Sequence, residues 1–284
     1  MAAELSGFLP SFIITFRETL EAALVIGVVL AFLFKTRQAS YSKFVYWGAG
    51  FGIIGSIAAA FLFNALVGGF EGTAEELFEG TLMLVGAALV SWMILWMMQQ
   101  RNIAKKIEEQ VEHNIMQHNA LAITLLVFVS VLREGVETVI FLGALGLREG
   151  ASVSTAGAAI GIIVALLFGY ALFRHFISIR LKTVFTYTSI LLILFAAGLV
   201  AHGIHELEEA GVVPVLVEHV WDINPEVNPD GSYPLLHENG LIGSIAKGLF
   251  GYNGNPSLLE VIGYMAYLVL MYFLWKKYSA NSNK

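Results

Sequence analysis

The sequence predicts an all-α integral membrane protein: seven transmembrane helices, built as a 3+3 inverted repeat plus one additional helix. Three observations lead there: the distribution of apolar residues, the sorting of basic residues between loops, and a charged motif that occurs twice.

Of 284 residues, 57% are hydrophobic and 13% charged, about half the charge of an ordinary soluble domain. The apolar residues fall into blocks of roughly 20, the length that carries a helix across about 30 Å of hydrocarbon. These blocks predict spans at 8–34, 44–67, 78–98, 120–147, 153–173, 184–204 and 258–275. The chain opens on MAAELSGF, without a basic stretch, and the following apolar block holds Arg17, Glu18 and Glu21. It therefore reads as a retained first span and not as a cleaved signal.

Lys35, Arg37, Lys43, Arg101, Lys105, Lys106, Arg174, Arg180, Lys182, Lys276, Lys277 and Lys284 fall in alternate loops and the tail, and only Arg148 and Lys247 in the others. The positive-inside rule then sets the N-terminus outside and the C-terminus in the cytoplasm, as an odd number of spans requires. The outer loops are acidic: Glu71, Glu75, Glu76 and Glu79 lie in one, and Glu206, Glu208, Glu209, Glu218, Asp222, Glu226, Asp230 and Glu238 in the longest, at 205–257. That loop, rich in proline and glycine, reads as an external cap with short helices. The cluster Glu108, Glu109, Glu112, His113 and His118 reads as a solvated cytoplasmic linker face.

Span one carries Arg17-Glu18-Thr19-Leu20-Glu21 and span four Arg133-Glu134-Gly135-Val136-Glu137. Span two has small residues at Gly48, Gly52, Ser56 and Ala60, and span five at Gly157, Gly161, Ala165 and Gly169. Such stripes let helix backbones approach closely in lipid. The order of charged, small-striped and third span recurs, giving one repeat at 8–98 and another at 120–204, within a single transporter domain over 1–284. Three spans per repeat make the halves opposite in orientation, the plan of many secondary transporters, whose sites lie at the midplane between the halves.

Ionised groups inside a membrane are expensive and mark ion pathways. Residues three apart share a helix face, so Glu18 and Glu21 point one way, as do Glu134 and Glu137. Arg17 and Arg133 stand four residues before Glu21 and Glu137, within ion-pairing reach. Four carboxylates and two guanidinium groups sum to −2, which in a low dielectric draws in a multivalent cation or protons. Carboxylate oxygens are hard ligands suited to Mg²⁺, Ca²⁺, Mn²⁺ and iron. The bland alternative, two inert salt bridges, is poor value for stability because desolvation consumes much of the Coulomb gain. Toward the outside, Glu79 opens span three, and His202-Gly-Ile-His205-Glu206-Leu-Glu208-Glu209 closes span six. Glu79, His205 and Glu206 are the expected capture site for the ion.

Composition also excludes classes. A chain without cysteine has no disulfides and no thiolate chemistry, and a net charge of −6 offers no basic patch for nucleic acid. No His-Glu-x-x-His motif is present, and the chain does not read as an enzyme.

At these residues the sequence resembles the oxidase-dependent iron transporters, the high-affinity iron permeases of fungi and their bacterial relatives. The likeness covers span number, orientation, the two Arg-Glu-x-x-Glu motifs, the Phe78-Glu79-Gly80 opening of span three and the His-Glu-rich end of span six. It implies iron uptake into the cytoplasm across a plasma membrane (the inner membrane in bacteria), with Glu18, Glu21, Glu134 and Glu137 as iron ligands beside Arg17 and Arg133. Iron is then a transported substrate, Fe²⁺ or Fe³⁺, and no permanently bound cofactor is expected. Expected partners are membrane lipid and an extracytoplasmic ferroxidase or iron-delivery protein. The rival readings are a proton-coupled carrier of another divalent metal such as Mn²⁺ or Pb²⁺, and a non-transporting structural or sensing subunit.

Overall fold

The computed structural model describes residues 2–67, 72–99, 103–116, 119–147, 153–173, 181–229 and 232–281. Glu71, Arg101, His118, Arg148, Arg174, Arg180, Asp230 and Lys284, sorted by charge above, lie outside the described residues. The helices are α1 (Ala2–Lys35), α2 (Ser42–Val67), α3 (Thr73–Gln99), α4 (Ile103–Met116), α5 (Ala120–Gly146), α6 (Thr155–Phe173), α7 (Leu181–Glu209), α8 (Leu241–Phe250) and α9 (Leu258–Asn281), with no strand among the described residues.

Each predicted span falls on one of the long helices. Five segments are long and apolar enough to cross a membrane: Ala39–Leu66, Thr73–Met98, Thr155–Phe173, Thr183–Glu209 and Leu258–Ser279. Helices α1 and α5, of 34 and 27 residues, carry the charged motifs. Outward faces are apolar: Ile54 and Phe61 on α2, Leu167 on α6 and Phe273 on α9 are all more than half exposed. A water-soluble protein does not present such continuous apolar surface, and the chain is a multi-pass membrane protein.

Element ends follow from local chemistry. Asn119 caps α5, its side chain accepting from the Ala122 N–H at 3.0 Å. The sixth predicted span stops at 204, but α7 runs on through the acidic residues to Glu209. Its end is set by Gly211, whose φ of 71° lets the chain turn left-handed while its N–H reaches the Glu208 carbonyl. The loop therefore starts a turn later than its composition suggests. Stretch 217–223 runs along 254–258, held by Val220 N–H to Pro256 O, Ile223 N–H to Gly254 O and Leu258 N–H to Val217 O, and α8 lies within this loop.

The helices pair in a regular way. α1 packs along α6, α2 along α5, and α3 along α7, while α1 and α5 also touch. Glycines make the first two pairings possible. A Cβ at Gly48 would meet the Thr124 carbonyl and one at Gly52 would meet Val131 and the Phe128 carbonyl. In the other pair, Gly157 lies on the Phe8 carbonyl, and Gly161 on Thr15 and the Phe12 carbonyl. Phe8, Phe12 and Thr15 precede Arg17 by the same intervals at which Thr124, Phe128 and Val131 precede Arg133. Each motif helix thus sits on a glycine-striped helix, α1 on α6 and α5 on α2, in the same register.

Contact order gives direction. Residue numbers rise together along α1 and α6 (Phe8 with Gly157, Gly27 with Phe173) and along α2 and α5 (Gly48 with Thr124, Gly143 with Phe63), so both pairs are parallel. Along α3 and α7 they run oppositely, with Gly80 against Gly203 and Leu207 and Gly86 against Leu199. One core, of Ile14, Met83, Val90, Phe141, Leu192 and Leu199 among others, joins α1, α3, α5 and α7. A second, with Val29, Val45, Val111 and Val127, brings α4 against α1, α2 and α5. There Val111 is buried while Glu109, Glu112 and His113 on the same helix are exposed.

Candidate metal centre

The parallel pairings set the two motifs facing each other. α1 brings Arg17, Glu18 and Glu21, and α5 brings Arg133, Glu134 and Glu137. Carboxylate oxygens of Glu18, Glu134 and Glu137 lie within 4.8 Å of one another. Glu18 and Glu134 are buried, at 1% and 6% exposure. Glu137 Oε1 takes the Arg133 Nε–H at 2.9 Å. Oε2 of Glu18, Glu134 and Glu137 is in each case buried without a hydrogen-bond donor. A buried carboxylate oxygen with no donor is costly, and each of the three convergent residues carries one.

The two arginines differ. Arg17 is wholly buried; its Nη1 lies 2.9 Å from Glu18 Oε1 and its Nη2 3.0 Å from Glu21 Oε1. The remaining face of the guanidinium meets α3, with Nη1 on the Met93 sulfur and Nη2 3.7 Å from that of Met97. Arg133 is 40% exposed, pairs with Glu137 at 2.9 Å and Glu134 at 3.4 Å, and lies 4.6 Å over the Trp96 ring, a cation–π contact. So α3 supports both arginines, one with sulfur and one with an aromatic face. Glu21, the fourth expected ligand, is turned to Arg17 and stands outside the convergent three.

Gly135, inside the second motif, has its own reason. A Cβ there would run into the Ser56 side chain on α2, whose hydroxyl donates to the Gly52 carbonyl at 2.8 Å. The first motif carries Thr19 at the matching position.

The expected capture residues do not all face one way. Glu79 is half-buried near the start of α3. Glu206 is buried where α7 crosses α3, its Cβ close to Gly80. His205 faces the other way, toward α9: its Nδ1 is 3.1 Å from Glu260 Oε1 and its Nε2 3.5 Å from Glu209 Oε1. Ligand atoms of His205, Glu208 and Glu260 lie within 4.8 Å of one another. Glu260 was absent from the expected set, although Ser257-Leu-Leu-Glu260 has the spacing of a capping box. The box is formed: Ser257 N–H to Glu260 Oε1 at 3.0 Å and Glu260 N–H to Ser257 Oγ at 3.2 Å. Likewise Met93, Trp96 and Met97 were not singled out; nothing in their spacing separates them from lipid-facing residues.

The chain is similar to known proteins along nearly its whole length. The chain is 31% identical to the ferrous iron permease EfeU of Yersinia pseudotuberculosis serotype I (strain IP32953) over 288 residues, covering 98% of this chain and 96% of that one. It is 31% identical to the ferrous iron permease EfeU of Yersinia pestis over 286 residues, covering 97% and 96%. With the protein of the same name from Escherichia coli O6:H1 (strain CFT073) it shares 30% over 265 residues, 92% of each. No solved structure matches. The profile of the iron permease FTR1 family matches residues 8–279. With that profile spanning nearly the whole chain, the protein belongs to the iron permease FTR1 family, and its members are transporters of iron across the membrane and not enzymes.

Proposed function

We propose that this protein carries Fe²⁺ into the cytoplasm through the carboxylates of its two Arg-Glu-x-x-Glu motifs. The observation that carries the proposal is the convergence of Glu18, Glu134 and Glu137, each with one buried oxygen that no donor satisfies. Hard oxygens with surplus negative charge suit a divalent cation, and the names of the relatives favour the ferrous ion. Glu21 is held by Arg17 and exchanges between that partner and the ion as the site changes access.

The matched glycine registers support an inverted repeat of α1–α3 and α5–α7, with α9 as the seventh span and 205–257 as the external loop. Parallel α1 and α6, parallel α2 and α5, and antiparallel α3 and α7 are the directions that seven alternating spans require. With the N-terminus outside, iron is collected at the loop side near Glu79 and Glu206, loses water to the midplane carboxylates, and is released inward when the halves rock. An inside-negative potential favours entry by about 2.3 kcal/mol per charge per 100 mV. The setting is the bacterial inner membrane, and an extracytoplasmic iron-delivery protein supplies the ion.

The test is Fe²⁺ uptake, under reductant, into liposomes containing the purified protein and its Glu18→Gln, Glu134→Gln and Glu137→Gln variants. Uptake by the native protein that falls to the protein-free background in all three folded variants is expected. Transport that persists in the variants would remove the motifs from the pathway; absent transport by the native protein, with or without a ferroxidase, would remove the carrier.

A further inference from the structure

A second constellation of ligands stands away from the motif carboxylates, where the end of α7 meets the first turn of α9. His205 and Glu208 are three residues apart and share a face of α7. Glu260 reaches them from α9, and ligand atoms of the three lie within 4.8 Å. Glu208 is 7% exposed, and its Oε1 has no hydrogen-bond partner although it is buried. A structural ion pair between His205 and Glu260 leaves that unpartnered oxygen unexplained.

The surroundings are those of a prepared ligand set. Glu208 Oε2 accepts the Ser257 hydroxyl at 2.6 Å. Glu260 Oε1 accepts the Ser257 N–H at 3.0 Å, and Glu260 Oε2 accepts Asn253 Nδ2 at 2.9 Å. Each carboxylate is therefore aimed by a group behind it, the outer-shell support on which metal ligands depend. His205 is about one-third exposed and can be reached. Glu260 and Asn253 also line an open cleft of about 460 Å³, bordered by Trp221, Ile223, Phe250 and Tyr264. Of the three ligands, Glu260 is the one that reaches this cleft.

We propose that His205, Glu208 and Glu260 form a second cation site, for a divalent first-row transition ion, between α7 and α9. One imidazole and two carboxylates combine borderline and hard ligands, a set suited to Fe²⁺, Mn²⁺ or Zn²⁺ more than to Mg²⁺ or Ca²⁺, which prefer oxygen alone. An arriving ion takes the position of the proton between His205 Nδ1 and Glu260 Oε1, and that proton leaves. The ligand set differs from the grouping of His205 with Glu79 and Glu206 expected from sequence. Its role as a station for transported iron rests on the iron-carrier reading; its existence as a cation site does not.

Mn²⁺ is the probe, added to the full-length, tag-free protein in detergent. The motif centre offers only oxygen ligands, so the strong spin-echo modulation of a nitrogen bound directly to Mn²⁺, as distinct from weak coupling to nearby arginine nitrogens, reports the second site. A nitrogen-coupled Mn²⁺ population is expected in the native protein and in Glu134→Gln. It is lost in His205→Gln and Glu208→Gln, and bound with roughly tenfold lower affinity in Ser257→Ala, which removes outer-shell support. No nitrogen coupling in the native protein overturns the site, and so does coupling unchanged in His205→Gln, a partly exposed position that tolerates the change. Loss of nitrogen coupling in Glu208→Gln with Fe²⁺ uptake still sensitive to Glu134→Gln keeps both proposals. Coupling present in a native protein that carries no iron retains the site and rejects the carrier.

Discussion

At the scale of single residues, the two arginines are equivalent in sequence and unequal in structure. Removing Arg17, which is fully buried, leaves Glu18 and Glu21 without the cation that pairs with both. Breaking a buried pair by deleting one partner costs about 3–5 kcal/mol. Arg17→Ala is expected to lower the thermal midpoint in detergent far more than Arg133→Ala, because Arg17 is wholly enclosed by protein whereas Arg133 is 40% exposed. Equal shifts would contradict the difference in burial. This inequality was not legible in the sequence. Spacing places an arginine four residues before a glutamate in both motifs, but which guanidinium meets sulfur and which meets the Trp96 ring depends on α3, a different segment. The same limit applies to His205: its helix face was readable, but its partner Glu260 lies on α9.

At the scale of elements, the small-residue stripes were legible and their partners were not. A period of four in small residues predicts close packing without saying against what. Gly52 and Gly161 hold equivalent positions against α5 and α1, and Gly50, one turn face away, has nothing within 4 Å of a added Cβ. Gly52→Val and Gly161→Val are each expected to destabilise the protein by about 1–3 kcal/mol, the usual cost of overpacking, while Gly50→Val leaves stability unchanged. Thermal unfolding of the three variants checks this; a neutral Gly161→Val would mean that α1 and α6 are not in this register. Helices run past the predicted spans at the start of α1 and of α3, at the end of α9, and at the end of α7, where acidic composition suggested water and the backbone continued to the left-handed Gly211.

At the scale of the whole molecule, charge sorting predicts which ends face the cytoplasm. The native chain has no cysteine, so single substitutions give a clean readout. In sealed cells an impermeant thiol reagent is expected to label Val215→Cys and to miss Ser40→Cys until the membrane is opened; both positions are exposed. Labelling in the reverse order would invert the direction of transport. The pairing of distant helices also bears on synthesis. Thr15 donates to the Ala158 carbonyl across 143 residues, a gap that a ribosome adding ~5–20 residues per second takes roughly 7–30 s to close. For that interval the first helix sits in lipid with its charges and none of its distant neighbours. Arg17 bonds to Glu18 and Glu21 on the same helix, so charge compensation is available from the moment of insertion. The arginine in each motif thereby serves the nascent chain before it serves the finished carrier.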